Sequence, residues 1–172
     1  MENLLKKLCI ALFITCIAAT VSVAQRPHLL FGANASYNNP KGAFSNSYKW
    51  GVAGEVFAGI GVSKTYLVGT LGTSYFSADK ENSYGRLIYN PVKLGVRQFL
   101  VSNKVFINGD VGVGYVKDKS MSNSESKLTR GIGAGARLLG LEGSIYYNGW
   151  KALHAPGFSN SVQFKVGWSM TL

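Results

Sequence analysis

The 172-residue chain is thinly supplied with the groups that most small proteins use for chemistry. Its two cysteines, Cys9 and Cys16, both fall within the first 24 residues. The remainder has no thiol, which excludes disulfides, thiolate-bound metals and a cysteine nucleophile there. Histidine is as scarce, with His28 and His154 the only side chains that would titrate near neutral pH without a perturbed environment. Four prolines and 15% charged residues stand against 47% hydrophobic residues, a balance that excludes a disordered chain. Beyond Thr20 no uncharged apolar run reaches the ~18 residues that a membrane-spanning helix requires. The apolar side chains must be spread over short elements.

One segment stands apart. Lys6 and Lys7 precede an apolar run from Leu8 to Ala19, followed by Val21-Ser22-Val23-Ala24. A basic start, an apolar middle and small residues at the cleavage site describe a secretory signal over residues 1–24, cut after Ala24. An uncleaved anchor and a lipoprotein cut before Cys16 are the rival readings. Phe13-Ile14-Thr15 lacks the small residue that lipidation wants before its cysteine. Residues 25–172 then form one domain of about 148 residues, too small for a multidomain enzyme.

From Pro27 onward hydrophobicity has period two, the signature of strands. In the final segment Val162, Phe164, Val166, Trp168, Met170 and Leu172 alternate with polar or small residues. Similar alternation marks Leu29 to Tyr37, Trp50 to Val62, Thr65 to Phe76, Leu87 to Phe99, Lys104 to Tyr115, Leu128 to Leu138 and Leu141 to Asn148, giving eight strands. Their connections alternate between tight turns, at Ser63-Lys64, Ser102-Asn103 and Leu139-Gly140, and four long polar stretches. Long loops at one end and tight turns at the other predict an all-β, eight-stranded antiparallel up-and-down transmembrane β-barrel, with both termini on the turn side.

Two-residue turns also predict register. Leu138 should face Leu141, Ala134 should face Ile145, and Arg137 should lie opposite Glu142. Leu94 should pair with Val111, Arg97 should lie beside Asn108 and diagonal to Asp110, and Ile60 should pair with Leu67. The polar face carries Glu55, Lys93, Arg97, Asp110, Arg137, Glu142 and Lys165 among many glycines. An eight-stranded barrel has an interior that side chains fill, so these seven predict a closed lumen holding a charge network. A soluble barrel of the lipocalin type, with a polar exterior, is the contrasting reading. Aromatics near strand ends, namely Tyr37, Trp50, Tyr75, Tyr115 and Tyr147 toward the loops and Phe31, Phe99 and Trp168 toward the turns, are expected to form two interfacial girdles.

With these features the chain resembles the small eight-stranded outer-membrane barrels of the OmpA/OmpX type, and more closely the Bacteroidetes-type outer membrane protein β-barrel domain. The most specific local piece is Tyr89-Asn90-Pro91-Val92-Lys93-Leu94-Gly95-Val96-Arg97, similar to the fourth strand of those relatives. A proline in a closed sheet implies a bulge or the outer part of a strand. The resemblance implies residence in the outer membrane of a Gram-negative bacterium with N- and C-termini in the periplasm. It implies as partners outer-membrane lipid and lipopolysaccharide, with the barrel assembly machinery during biogenesis. It also implies a monomer, a structural or surface-interaction role, and no enzyme activity. Family members usually end on an aromatic residue as an assembly signal, whereas Leu172 ends this chain and Trp168 is the nearest aromatic.

Some barrels of this size modify lipids, so an acyltransferase-type enzyme is the alternative function. Its materials would be His154 with Ser77, Asp79, Asp118 and Ser120 of other loops, a composition common to polar loops. His28 belongs at the expected periplasmic rim. Gly131 to Ala136 alternates through a strand with no helix after it, so it reads as lumen wall and not as a nucleotide loop. No metal, cofactor or nucleic-acid partner is indicated. The net charge is +10, and Lys41, Lys49, Lys117, Lys119, Lys127, Arg130 and Lys151 fall in or beside the long loops. There they could meet lipopolysaccharide phosphates or a surface partner.

Overall fold

A computed structural model describes residues 27–78, 86–118, 124–152 and 157–172. The expected signal at residues 1–24, with Cys9 and Cys16, lies outside them. Eight strands run in chain order: β1 (His28–Lys41), β2 (Tyr48–Val62), β3 (Thr65–Ala78), β4 (Leu87–Val101), β5 (Val105–Asp118), β6 (Ser124–Leu138), β7 (Leu141–Lys151) and β8 (Phe158–Thr171). Each pairs antiparallel with its sequence neighbours, and β1 pairs with β8 to close the barrel. At that seam Leu29 and Leu172 exchange backbone hydrogen bonds of 2.8 Å in both directions. Closure leaves no unpaired sheet edge, the condition under which strands can cross a membrane.

The register follows the tight turns. Leu138 faces Leu141, Ala134 faces Ile145 and Arg137 faces Glu142. Leu94 faces Val111 and Arg97 faces Asn108, while Ile60 faces Leu67. Ser102 and Asn103 both take positive φ, as do Leu139 and Gly140, the type I′ signature whose twist suits a two-residue hairpin. The register shifts between Phe99 and Val101, so β5 starts at Val105, one residue later than the alternation suggests.

Leu139 is an unfavourable residue for this place. At φ +52° its side chain crowds its own backbone, and it is 94% exposed. Leu139→Asn should raise unfolding stability by about 1 kcal/mol, measured by gel-shift unfolding in detergent.

The strands are longer than the apolar alternation indicates. Seven of them run 14 or 15 residues. At about 3.3 Å per residue and a tilt of about 40° such a strand rises roughly 37 Å, well beyond an apolar band of about 25 Å. Polar residues continue the ladder at the loop end, where Asn39 pairs with Val162 and Lys41 with Asn160. Backbone pairing needs no hydrophobic partner, so alternation fades before the ladder does. The first long connection is accordingly short, holding one turn of 3-10 helix over Gly42–Asn46.

Pro91 makes no bulge. It sits within β4 and pairs with Gly114 of β5, while the ladder to β3 lapses between the Leu71–Val92 and Ser74–Tyr89 pairs. The missing proline N–H falls in that gap. Thr73 Oγ1 donates to Asn90 Oδ1 across it at 2.8 Å.

Candidate functional site: a filled lumen and an outward basic face

Alternation gives the barrel an apolar outside. Val56, Leu71, Val92, Leu94, Val111, Ile132, Ile145 and Val166 form a continuous belt, each 49–70% exposed. Tyr37, Trp50, Tyr75, Tyr115 and Tyr147 are likewise exposed nearer the loops, and Phe31 meets Trp168 edge-on at 6.4 Å nearer the turns. Phe99 departs from the expected girdle. It is fully buried inside the barrel, packed on Tyr66 and Phe106.

The inside is layered. At the loop end Phe44, carried by the 3-10 turn, meets Tyr48, Phe76 and Trp150 at 5.0–5.1 Å, and Trp150 stacks on Tyr89. Below lie buried polar residues, among them Asn38, Thr129, Asn148, Ser161 and Gln163. The charged layer follows, and a second apolar cluster of Leu30, Phe57, Tyr66, Val68, Phe99 and Phe106 occupies the turn end. These inward aromatics are absent from a reading that took this face as polar and small. Glycines make room for them: a Cβ at Gly133 would lie 2.1 Å from the Tyr146 ring, and one at Gly114 would lie 2.1 Å from the Tyr89 ring. Glycine across the ladder from an inward aromatic, directly at Gly133 and diagonally at Gly114, was the available signal.

All seven charges named from the sequence point into the lumen, but their partners are largely across it, not next door. Glu55 accepts from Lys165 Nζ at 2.5 Å and lies 3.6 Å from Lys93 Nζ. Lys93 also reaches Asp110 at 3.4 Å, and the Tyr146 hydroxyl donates to Asp110. Arg97 lies between the rings of Phe57 and Phe106, at 4.5 and 4.4 Å, which aims it across the barrel at Glu142. Arg97 Nη1 donates to both carboxylate oxygens there at 2.9 and 3.1 Å.

Arg97 therefore serves Glu142, and Asp110 is held by Lys93. Arg137, opposite Glu142 in register, lies over Phe99 and donates to Thr171 at 3.0 Å and to Ser169 at 3.4 Å. Ser169 in turn donates to Glu142 at 2.6 Å, so a hydroxyl stands between the expected pair. A long side chain starting on a narrow wall reaches the far wall as readily as its neighbour, so ladder register alone does not choose its partner. The charged layer encloses about 20 Å³, room for about one water and not for a channel.

The residues expected to meet lipopolysaccharide scatter. Lys41, Lys117 and Lys151 are exposed at the loop ends of β1, β5 and β7, and Lys49 is exposed in an irregularity at the start of β2. Lys127 is not free for a partner, because Glu125 holds it at 2.6 Å. Arg130 lies beside a long connection, within β6 as the Leu128 to Leu138 alternation has it, on the lipid-facing side between Leu128 and Ile132. Lys119 lies outside the described residues, as do His154, Asp79 and Ser120, while His28 is exposed at the turn end. Among the described residues no group of three potential metal ligands gathers.

No family model and no curated protein matches the sequence. Solved structures do match. Neisserial surface protein A superposes with a TM-score of 0.63 at 11% identity, over 83% of this chain and 96% of that one. The fold is that of the small outer-membrane β-barrels. Ail of Yersinia pestis in a phospholipid nanodisc gives a TM-score of 0.54 at 16% identity, over 85% and 99% of the two chains. The N-terminal β-barrel domain of Pseudomonas aeruginosa OprF gives 0.55 at 10% identity, over 82% and 97%.

Proposed function

We propose that this protein is a non-enzymatic integral barrel of a Gram-negative outer membrane, monomeric, with a closed lumen and a structural or surface-interaction role. The observation that carries this reading is the inversion of polarity: a belt of aliphatic residues faces outward while seven charges are taken inside. A soluble ligand-binding barrel needs the reverse arrangement, and water does not tolerate an apolar patch of this extent. The termini and tight turns belong in the periplasm and the four longer connections at the cell surface, as the loop asymmetry of such barrels suggests. A surface role has a parallel in Ail, which has been crystallised in complex with the heparin analogue sucrose octasulfate.

Protease added to intact cells should therefore cut only in the four long connections at the loop end, and leave Lys64 and Lys104 intact. Cleavage at those two turn lysines would reverse the orientation. In planar bilayers the folded protein should show no steady conductance, and porin-like current would contradict a closed lumen.

A further inference from the structure

The loop-end mouth of the barrel is filled by a side chain of its own first connection. Within the 3-10 turn over Gly42–Asn46 only Phe44 is buried. Its ring stands 5.0 Å from Tyr48 and 5.1 Å from both Phe76 and Trp150, the guest of a three-sided aromatic cage. Phe44 is also the outermost ring there, 8% exposed where Phe76, Tyr89 and Trp150 are at most 1%. The turn is bonded within itself, Ser45 Oγ donating to Gly42 O at 2.7 Å and the Ser47 N–H to Phe44 O at 3.3 Å. Gly42 takes φ +61° with open space around it, which puts a hinge at the start of the turn. A self-bonded turn with one buried anchor belongs to the least stable part of a fold and can lift without breaking a strand pair.

The cage suits Phe44, but the layer beneath does not. Asn148 is the inward residue of β7 next below Trp150, about 7 Å down the strand. It pairs with Ser161, and Gln163, the next inward residue of β8, pairs with Asn38. All four are at most 1% exposed. Asn38 Nδ2, both amide atoms of Asn148, Ser161 Oγ and Gln163 Oε1 have no hydrogen-bond partner among the described residues. Buried polar atoms left in this state are costly, and a phenyl ring overhead offers them nothing. The patch holds amide donors, amide acceptors and a hydroxyl, and none of its four residues is charged. Such a set suits hydroxyl groups, each of which both donates and accepts, and suits an ion of neither sign.

We propose that this mouth is a latent binding site for a neutral pyranose ring, with Phe44 as the lid that occupies it in the closed state. The site rests on the reading of this end as the cell-surface end. A pyranose is close in size to the phenyl ring it displaces. It lays a C–H face against the rings of Phe76 and Trp150 and turns hydroxyls toward Asn148, Ser161, Gln163 and Asn38. An apolar wall with a few placed polar groups is the usual build of a small-molecule site. Because the turn must lift first, the apparent affinity of the parent is lowered by the fraction of molecules that are open.

The test uses the folded chain in a polyoxyethylene detergent, which has no sugar headgroup, and follows the side-chain amide signals of Asn38, Asn148 and Gln163 by NMR. Methyl glucoside and methyl galactoside are the probes, with cyclohexanol as a six-membered ring that has one hydroxyl. A glycoside should shift these amides saturably, and Phe44→Ala should respond at about tenfold lower concentration because the lid no longer competes. Phe44→Leu, which leaves the cage partly filled, should fall between. Adding Asn148→Leu to Phe44→Ala should weaken binding about tenfold or more, since hydroxyls then lose their partners. Each variant is first shown to fold to a heat-modifiable barrel, so loss of binding is separated from loss of fold. Equal affinity in the parent and Phe44→Ala would overturn the lid. Absence of a saturable shift by either glycoside in an intact Phe44→Ala barrel would overturn the site, and cyclohexanol binding as tightly as the glycosides would overturn the sugar assignment. Dextran, which presents the same ring at its chain ends, should compete with methyl glucoside if the ring comes from a glycan and should not if it comes from a free sugar. Protease cleavage at Lys64 and Lys104 on intact cells would turn this mouth to the periplasm, which removes the surface reading and leaves the titration standing.

Discussion

Glu55→Gln should cost the barrel about 3–5 kcal/mol of unfolding free energy, the penalty for stranding buried charge. Glu55 is the hub of the charged layer. Lys165 at 2.5 Å has no other acid among its ion pairs, whereas Lys93 keeps Asp110 at 3.4 Å. Neutralising Glu55 leaves Lys165 inside a protein wall without an ion-pair partner, its ammonium 4.2 Å from the Tyr146 ring. Adding Lys165→Met should recover much of the loss, because removing a buried pair together can be neutral. Gel-shift unfolding in detergent ranks the parent, the single and the double variant. A double variant weaker than the single would show that these charges act independently. The same comparison at Glu142 takes Arg97 as its second member, since Arg137 meets that carboxylate only through Ser169.

Gly133→Leu should be comparably severe. A Cβ there would lie 2.1 Å from Tyr146 Cδ2 and 2.8 Å from Ile145 O, and neither can withdraw. The Tyr146 ring is fully buried, held by its hydroxyl on Asp110 and by the ammonium of Lys165. Overpacking of this kind costs about 1–3 kcal/mol or more. Ala134→Leu, one residue along and facing lipid, should be near neutral by the same unfolding assay. Shrinking the obstacle should also help: Gly133→Ala combined with Tyr146→Leu should fold better than Gly133→Ala alone. An equal effect of leucine at 133 and 134 would mean that the alternation of inside and outside is misplaced.

These two sites mark how far the sequence could be read. Strand number, register and the inward set of charges follow from period-two alternation, because a two-residue turn fixes every pair down the hairpin. Arg137 opposite Glu142 and Leu94 opposite Val111 are read in this way. Pairing across the lumen is not legible, because it depends on how Arg97 is aimed by Phe57 and Phe106, which lie on two other strands. The inward aromatics were hidden for a related reason. Phe57, Tyr66, Tyr89 and Tyr146 lie on the face that carries the charges, and only the glycines facing them make that face wide enough. Lys127 was hidden by the length of β6, whose ladder begins at Ser124, before the apolar alternation starts at Leu128. Loop polarity does not mark where a barrel strand ends, since the closed ladder continues into water.

The most direct test of the account uses the absence of cysteine after Ala24. Single cysteines at Val56, Val111, Ile132 and Val166 can each carry one fluorophore on the folded protein in lipid vesicles. Lipids brominated at mid-chain should quench all four strongly and aqueous iodide should not, because these residues lie on the outward belt of different strands within an apolar band of about 25 Å. Quenching by iodide with no response to brominated lipid would place the belt in water and contradict the membrane-spanning barrel.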